Sequence, residues 1–184
     1  ADRQWIKPHS RKWLISFLIF FIPLNIFIYT PFAYPYLPKI HKIISSADWD
    51  TRNDLSNEFF GWPEAGTKML ERQRQIHSDS GKKPFLAAIR YETTAQTIWA
   101  TKEKIIMLNK FVSHYTVVKK KQNTVESLLG TNSLILTTEK YPDDPNEYAL
   151  FDRCTKEEFK TYRIDEHSRT FYFWYCENFK GIKN

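Results

Sequence analysis

The feature that most constrains this chain is a stretch near its N-terminus, residues 13–38, that contains no charged side chain. Its most apolar part, residues 13–33, is 21 residues long, and a helix needs roughly 20 apolar residues to cross a bilayer. Aromatic residues typical of membrane interfaces lie towards its two ends: Trp13, Tyr29, Tyr34 and Tyr36. We therefore predict one transmembrane helix and its interface.

Two residues near the middle of this stretch are unusual in a lone membrane helix. Pro23 leaves one backbone carbonyl without its helical donor, and Asn25 brings an amide into the hydrocarbon region. We interpret both as a sign that the helix packs against other transmembrane helices, which supply partners for these groups. The alternative is a single anchor that tolerates a kink.

Most of the chain's net charge of +6 lies beside the apolar stretch. The charged residues up to Ile44 are Arg3, Lys7, Arg11, Lys12, Lys39, Lys42 and Asp2. Four of the cations precede the stretch and two follow it, so the positive-inside rule predicts a cytoplasmic N-terminus and an extracytoplasmic domain. A nucleic-acid-binding protein would carry this charge on its folded domain, so we exclude nucleic acid as a partner.

A cleaved signal peptide is the competing interpretation, with residues 45–47 as the cleavage site. The apolar stretch is longer than the hydrophobic part of a signal peptide, and Lys39 and Lys42 separate it from that site. We therefore prefer a retained transmembrane helix. Because the chain opens with Ala1 instead of Met, we expect it to be part of a longer protein.

Two helices are predicted in the first half of the remaining chain. The first starts at the Gly-Trp-Pro of residues 61–63 and ends at the Ser-Gly of residues 80–81. The second is predicted to be capped by Thr93 or Thr94. Its inner face is predicted to consist of three residues: Ala95, Ile98 and Trp99.

Apolar runs predict two groups of strands. The first group alternates with helices, including a short one at 124–129: residues 84–89, 104–108, 112–118 and 133–138. The second group follows without helices: residues 148–153, 158–164 and 169–176, the last with aromatic side chains on both faces, as in a strand covered on both sides. This order predicts an α/β fold with a mostly parallel open sheet, flanking helices and a C-terminal antiparallel extension.

The predicted organisation has four parts. A cytoplasmic basic flank covers residues 1–12, the transmembrane helix and its interface residues 13–38, a connecting segment residues 39–60, and an extracytoplasmic α/β domain residues 61–184. Cys154 and Cys176 lie in this domain. They are predicted either to form a disulfide in an oxidising compartment or to remain buried free thiols.

Motifs for cofactors and metals are not found in the sequence. No Gly-rich phosphate loop, nucleophile elbow or zinc-ligand spacing occurs, so no cofactor and no metal site are assigned. Asp48, Asp50 and Asp54 lack the glycine and the distal glutamate of a calcium loop. We interpret them as a solvated capping cluster.

One ligand site has a physical basis. In an open α/β sheet, ligands bind at the carboxyl ends of the parallel strands, where the next helix begins. Arg90 and Tyr91 follow the first predicted strand, Gln96 lies further along the next helix, and that helix start offers free N–H groups. This arrangement could hold an anionic or sugar-bearing group. The alternative is that Arg90 and Tyr91 pack and pair structurally.

Four stretches carry a family resemblance. Residues 48–66 have the sequence DWDTRNDLSNEFFGWPEAG, residues 90–100 have RYETTAQTIWA, residues 113–118 have SHYTVV, and the chain closes with FYFWYCENFKG before its last residues. In this order, and behind a membrane helix, they resemble the C-terminal domain of bacterial dolichyl-phosphate-mannose–protein mannosyltransferase-like membrane glycosyltransferases. This family includes the lipid A aminoarabinose transferases.

The resemblance implies an inner-membrane enzyme that transfers a sugar from a polyprenyl-phosphate carrier to a lipid or protein acceptor. The family's catalytic acid lies in a loop N-terminal to this region, so the resemblance implies no catalytic residue here and an accessory periplasmic domain beside the active site. It implies five ligand-binding candidates: Trp62, Arg90, Tyr91, Gln96 and Tyr115. The alternative hypothesis is a single-span membrane-anchored binding or sensor domain without catalytic activity.

Overall fold

The computed structural model describes residues 8–109 and 125–183 and divides the chain into two compact units. The first unit ends at Trp49 and the second begins at Asp50, earlier than the predicted domain boundary at Gly61. The strand predicted at residues 112–118, and Tyr115 within it, lie outside the described residues.

The first unit contains two helices. Helix α1 (Pro8–Ala33) includes the stretch Arg11–Pro31, which has a mean hydropathy of 2.0; from residue 11 to residue 30 none of its side chains is buried by the described residues. It is long and apolar enough to span a membrane. Helix α2 (Tyr36–Ile44) was not predicted, although Pro38 lies in its first turn, where a missing N–H is tolerated.

Two of the polar groups of α1 find partners within the first unit. The Asn25 side-chain amide donates to the Phe21 carbonyl at 2.7 Å. Pro31 has no N–H for the Phe27 carbonyl, and the Tyr36 hydroxyl donates to this carbonyl instead, at 2.9 Å. The Asn25 amide and the Phe27 carbonyl therefore have partners within the chain, and packing of α1 against other transmembrane helices stays a prediction.

The second unit contains helices, short 3₁₀ segments and strands. Its helices are α3 (Trp62–Ser80), α4 (Tyr91–Thr101) and α5 (Pro145–Tyr148). The 3₁₀ segments are Thr51–Asn53, Leu55–Phe59 and Val125–Leu128. The strands are β1 (Phe85–Ala88), β2 (Ile106–Met107), β3 (Ser133–Thr138), β4 (Ala149–Leu150), β5 (Arg153–Arg163), β6 (Glu166–Glu177) and β7 (Gly181–Ile182).

Five of the strands form a mixed sheet in the order β2-β1-β3-β6-β5. Strand β1 pairs in parallel with β2 and β3, whereas β6 is antiparallel to both β3 and β5. The α/β class and the antiparallel C-terminal extension are therefore as predicted. The strand predicted at residues 148–153 is wrong in extent. Tyr148 ends the helix Pro145–Tyr148, β4 pairs with β7 in a separate small sheet, and Arg153 already belongs to β5.

The five-stranded sheet has a hydrophobic core on each face. On one face, side chains of α3 such as Trp62 and Met69 pack against Leu86, Leu134 and Phe173. The core of the other face includes Ala87, Ile135, Ala149, Cys176 and Phe179. Strand β6 contributes to both cores, as its two aromatic faces predict.

Helix α4 differs from its prediction at both its start and its inner face. It begins at Tyr91, so Thr93 and Thr94 lie inside the helix and do not cap it. Four threonines are its buried residues: Thr93, Thr94, Thr97 and Thr101. Trp99, predicted to face inward, is 56% exposed.

The acidic residues before α3 cap the short 3₁₀ segments. The Asp50 carboxylate accepts from the Arg52 backbone N–H at 3.0 Å, and Asp54 accepts from the Ser56 N–H at 2.9 Å. The capping role is as predicted for these two residues. Asp54 is buried, however, so the cluster is not solvated throughout.

Strands β5 and β6 bring the two cysteines together. Cys154 lies directly opposite Cys176 in the antiparallel register, and their sulfur atoms are bonded. Of the two alternatives that the sequence left open, the structure therefore contains the disulfide.

Substitutions of Gly61 and Gly81, which flank the two ends of α3, test how closely the start of this helix packs against the sheet. Gly61 has φ +82°, and a Cβ there would lie 2.5 Å from Thr161 Oγ1 and 2.9 Å from the Phe171 ring. Gly81 has a similar φ of +68°, but a Cβ there would meet nothing within 4 Å. We expect Gly61→Ala to lower the free energy of unfolding by about 2–4 kcal/mol and Gly81→Ala by about 1 kcal/mol.

Urea unfolding of the detergent-solubilised chain, followed by fluorescence, measures both values. Since the backbone strain is shared, the difference between the two variants reports the close packing at Gly61. Equal losses would contradict this packing.

Candidate functional site

The carboxyl ends of the parallel strands meet at one edge of the sheet. Strand β1 is followed by Arg90, β2 by Asn109, and β3 by Lys140 and Tyr141. The Leu108 N–H donates to the Ala88 carbonyl at 2.9 Å, which keeps the ends of β1 and β2 side by side. In α/β sheets this edge is where ligands bind.

A group of charged and aromatic side chains gathers at this edge, and we call it the Tyr141 cluster. It combines residues from the 3₁₀ segment before α3, from the turn after β1, from the segment after β3 and from β6. Its members are Glu58, Arg90, Lys140, Tyr141, Asp143, Tyr148 and Arg169.

Arg90 and Asp143 form a two-point ion pair at one end of the cluster. Arg90 Nε donates to Asp143 Oδ2 at 2.6 Å and Nη2 donates to Oδ1 at 2.8 Å. The Tyr148 hydroxyl also donates to Oδ1, at 3.0 Å. The hydrogen bonds from Arg90 lower the pKa of Asp143, and burial together with the bond to Asp143 raises the pKa of Tyr148.

Glu58 connects two cations at the other end of the cluster. One carboxylate oxygen accepts from Lys140, and the other lies 3.2 Å from Arg169 Nη2. Burial raises the pKa of Glu58, but its hydrogen bonds to Lys140 and Arg169 offset this effect, and the pKa lies below its usual value. Glu58 is therefore ionised at neutral pH.

The Tyr141 ring lies between the two ends. Its centroid is 4.5 Å from Arg90 Cζ and 5.5 Å from Lys140 Nζ, distances at which a cation is attracted to a ring face. The side chains of Arg90 and Lys140 are 40% and 34% exposed, so solvent reaches both cations.

The electrostatics of the cluster favour binding over proton transfer. A general acid or base at neutral pH needs a pKa near 7, whereas Glu58 and Asp143 are both held below their usual values. Three cations stand against these two carboxylates, and Arg90 uses only two of its five N–H donors on Asp143. The arrangement is suited to an anionic group next to an aromatic ring.

The structure separates the five predicted ligand-binding residues. Arg90 lies in the cluster, and Tyr91 is exposed at the first residue of α4. Gln96 is five residues further along the helix, about 140° around its axis, so it does not share a face with Tyr91. Tyr115 lies outside the described residues.

Trp62 is buried and contacts two members of the cluster, Glu58 and Arg169. It is only 3% exposed, and its indole N–H donates to the Glu58 carbonyl at 2.9 Å. Its ring packs edge-on against Phe171 and lies 5.3 Å from Arg169 Cζ. These contacts give Trp62 a structural role, and its predicted contact with a ligand stays a prediction.

Sequence reasoning missed most of the cluster, although one signal was present. The rule that selected Arg90, a polar residue after a buried strand, applies equally to the segment after β3. There it would have selected Lys140, Tyr141 and Asp143. The contribution of Glu58 depends on the path of the 3₁₀ segment and has no sequence signal.

The described part of the second unit also contains pockets away from the Tyr141 cluster, but no metal-binding group. Two pockets of about 310 and 520 Å³ share Gln73, Lys83 and Glu103 and adjoin the amino ends of β1 and β2. Within residues 8–109 and 125–183, no group of three or more histidine, cysteine or carboxylate side chains could hold a metal ion. We take the Tyr141 cluster as the candidate site because it lies at the carboxyl ends of the parallel strands.

Replacing Asp143 tests the ion pair. We expect Asp143→Asn to lower the free energy of unfolding by about 1–2 kcal/mol at pH 7, because it removes the negative charge that pairs with Arg90. The pKa of Asp143 is lower in the folded state than in the unfolded state. The stability that its carboxylate contributes is therefore present above the usual aspartate pKa of about 3.9 and is lost as the pH falls through the folded-state pKa. The difference from the native chain should therefore shrink in acid.

The neighbouring substitution Asp144→Asn is the control. Asp144 caps α5 through the Asn146 N–H, and asparagine caps a helix equally well, so little change is expected. Urea unfolding between pH 3 and pH 7 measures both variants. A loss for Asp143→Asn that is independent of pH would contradict the ionic account.

Comparison of the chain with models of protein families, with curated proteins and with solved structures gives no match.

Proposed function

We propose that this chain is the C-terminal part of a membrane glycosyltransferase that transfers a sugar from a polyprenyl-phosphate carrier to a lipid or protein acceptor. Its second unit is an accessory extracytoplasmic domain, and helix α1 anchors it in the inner membrane. The Tyr141 cluster contacts the phosphate of the carrier. The residues of this chain assist binding and do not carry out the chemical step.

The convergence of two stretches from the family resemblance supports this proposal. Residues 48–66 supply Glu58 and the buried Trp62, and residues 90–100 supply Arg90. Both stretches reach the same sheet edge, where Lys140 binds Glu58 and Asp143 binds Arg90. Arginine and lysine beside an aromatic ring are chemically suited to a phosphate that carries a sugar.

The first unit supports a membrane location. None of residues 11–30 is buried by the described part of the chain. A groove of about 370 Å³ beside Pro23, lined by Ile19, Phe20, Leu24 and Phe27, could receive a side chain of a neighbouring transmembrane helix. Such packing would place α1 among the other spans of a larger enzyme.

A single-span binding or sensor domain is the second candidate. It is favoured by the hydrogen bonds of Asn25 and Tyr36, which satisfy polar groups of α1 without a neighbouring helix. The reading frame upstream of Ala1 distinguishes the candidates. Further hydrophobic spans there favour the glycosyltransferase, and a start codon within a few residues favours the single anchor.

A binding experiment tests the role of the Tyr141 cluster. The whole chain is reconstituted in nanodiscs that contain either undecaprenyl phosphate or uncharged undecaprenol, and retention of each lipid is measured by native mass spectrometry. We expect retention of the phosphate alone. The double variant Arg90→Gln, Asp143→Asn should weaken it about tenfold, which corresponds to about 1.4 kcal/mol.

The double substitution neutralises the ion pair without leaving an unpaired carboxylate. A matched control is Arg72→Gln, Glu157→Gln, which removes an exposed pair between α3 and β5 and leaves the same net charge. Equal retention of phosphate and alcohol, or equal losses in the two double variants, would refute the assignment of the phosphate to this cluster.

A further inference from the structure

Helix α2 is strongly amphipathic. Its apolar side chains occupy an arc of about 120° when placed at the 3.6-residue period of a helix: Tyr36, Leu37, Ile40, Ile43 and Ile44. The remaining side includes Lys39, His41 and Lys42. The segment is therefore built with two chemically distinct faces, although it was predicted only as an interface and a connecting segment.

The apolar face of α2 points back along α1. Tyr36 belongs to this face, and its hydroxyl donates to the carbonyl of Phe27, which lies nine residues earlier in α1. Its ring centroid is also 6.4 Å from that of Phe27. The side of α2 that carries Tyr36 is thus directed towards the body of the apolar helix.

This contact has a chemical cause. Because Pro31 lacks an N–H, the Phe27 carbonyl has no donor from the fourth residue along the helix. An unsatisfied carbonyl is costly in hydrocarbon, so the Tyr36 hydroxyl stabilises both this end of α1 and the orientation of α2.

The end of the apolar face is uncovered within the described part of the chain. Ile43 is 84% exposed and Ile44 is 76% exposed. Exposure of such residues to water is unfavourable by roughly 25 cal/mol per Å² of apolar surface. The face is continuous with the exposed surface of α1, from which it is separated by only Tyr34 and Pro35.

We propose that α2 is an interfacial anchor that lies along the membrane surface, with its apolar face in the acyl boundary and Lys39 and Lys42 at the level of anionic headgroups. Three observations select lipid as the partner: the direction of Tyr36, the continuity with α1, and the placement of the cations outside the apolar arc. The inference rests on that part of the proposed function in which α1 spans the bilayer.

Nitroxide depth measurements on the whole chain test this inference. Single labels are placed by Ile43→Cys on the apolar face, by Lys42→Cys on the polar face, and by Phe20→Cys in the middle of α1. The native cysteines are bonded to each other and do not take up the label. The chain is reconstituted in phosphatidylcholine–phosphatidylglycerol vesicles, and accessibility to oxygen and to a water-soluble nickel complex is compared.

We expect the Ile43 label to lie roughly 5–10 Å into the headgroup–acyl boundary and the Lys42 label to be accessible to nickel. If the Ile43 and Lys42 labels are both aqueous while the Phe20 label is deep, the interfacial anchor is refuted and the spanning helix stands. An Ile43 label shielded from both reagents would identify a protein partner and would also overturn the lipid assignment. An aqueous Phe20 label would instead refute the spanning helix.

Discussion

The constraint on which the first unit depends is that most of its long helix is left uncovered by the described residues. From residue 11 to residue 30 no side chain is buried by that part of the chain, and the exposed surface is largely apolar. Hydrocarbon can cover such a surface, and it then requires every backbone polar group to be satisfied locally. The hydrogen bonds from Asn25 to Phe21 and from Tyr36 to Phe27 meet part of this requirement, and the second one also orients α2.

The second unit depends on the parallel pairing of β1 with β2 and β3. This pairing brings distant chain segments to one edge, where Arg90 meets Asp143 and Lys140 meets Glu58. The cations keep both carboxylates ionised, so the site is organised for electrostatic recognition and not for proton transfer.

Sequence patterns predicted those parts of the fold that are encoded locally. Helix α3 has glycine and proline signals at its start and an apolar stripe along one side, and β3 is a short apolar run. Helix α4 was predicted less well because its buried threonines look polar in the sequence. The hydroxyls of Thr94, Thr97 and Thr101 donate to carbonyls one turn earlier, so these residues are buried without an unsatisfied group. The Arg90–Asp143 pair joins residues far apart in the chain and depends on the strand order, which no periodic pattern reveals.

Extraction of membranes from cells that express the chain tests the central claim most directly. If α1 spans the bilayer, the chain stays in the membrane pellet after washing with alkaline sodium carbonate. A variant with Ile19→Arg and Phe20→Arg should lose this retention, since each arginine near the middle of a membrane helix costs about 2.5–3.5 kcal/mol. Release of the native chain as a folded, monodisperse protein in the supernatant would contradict the account.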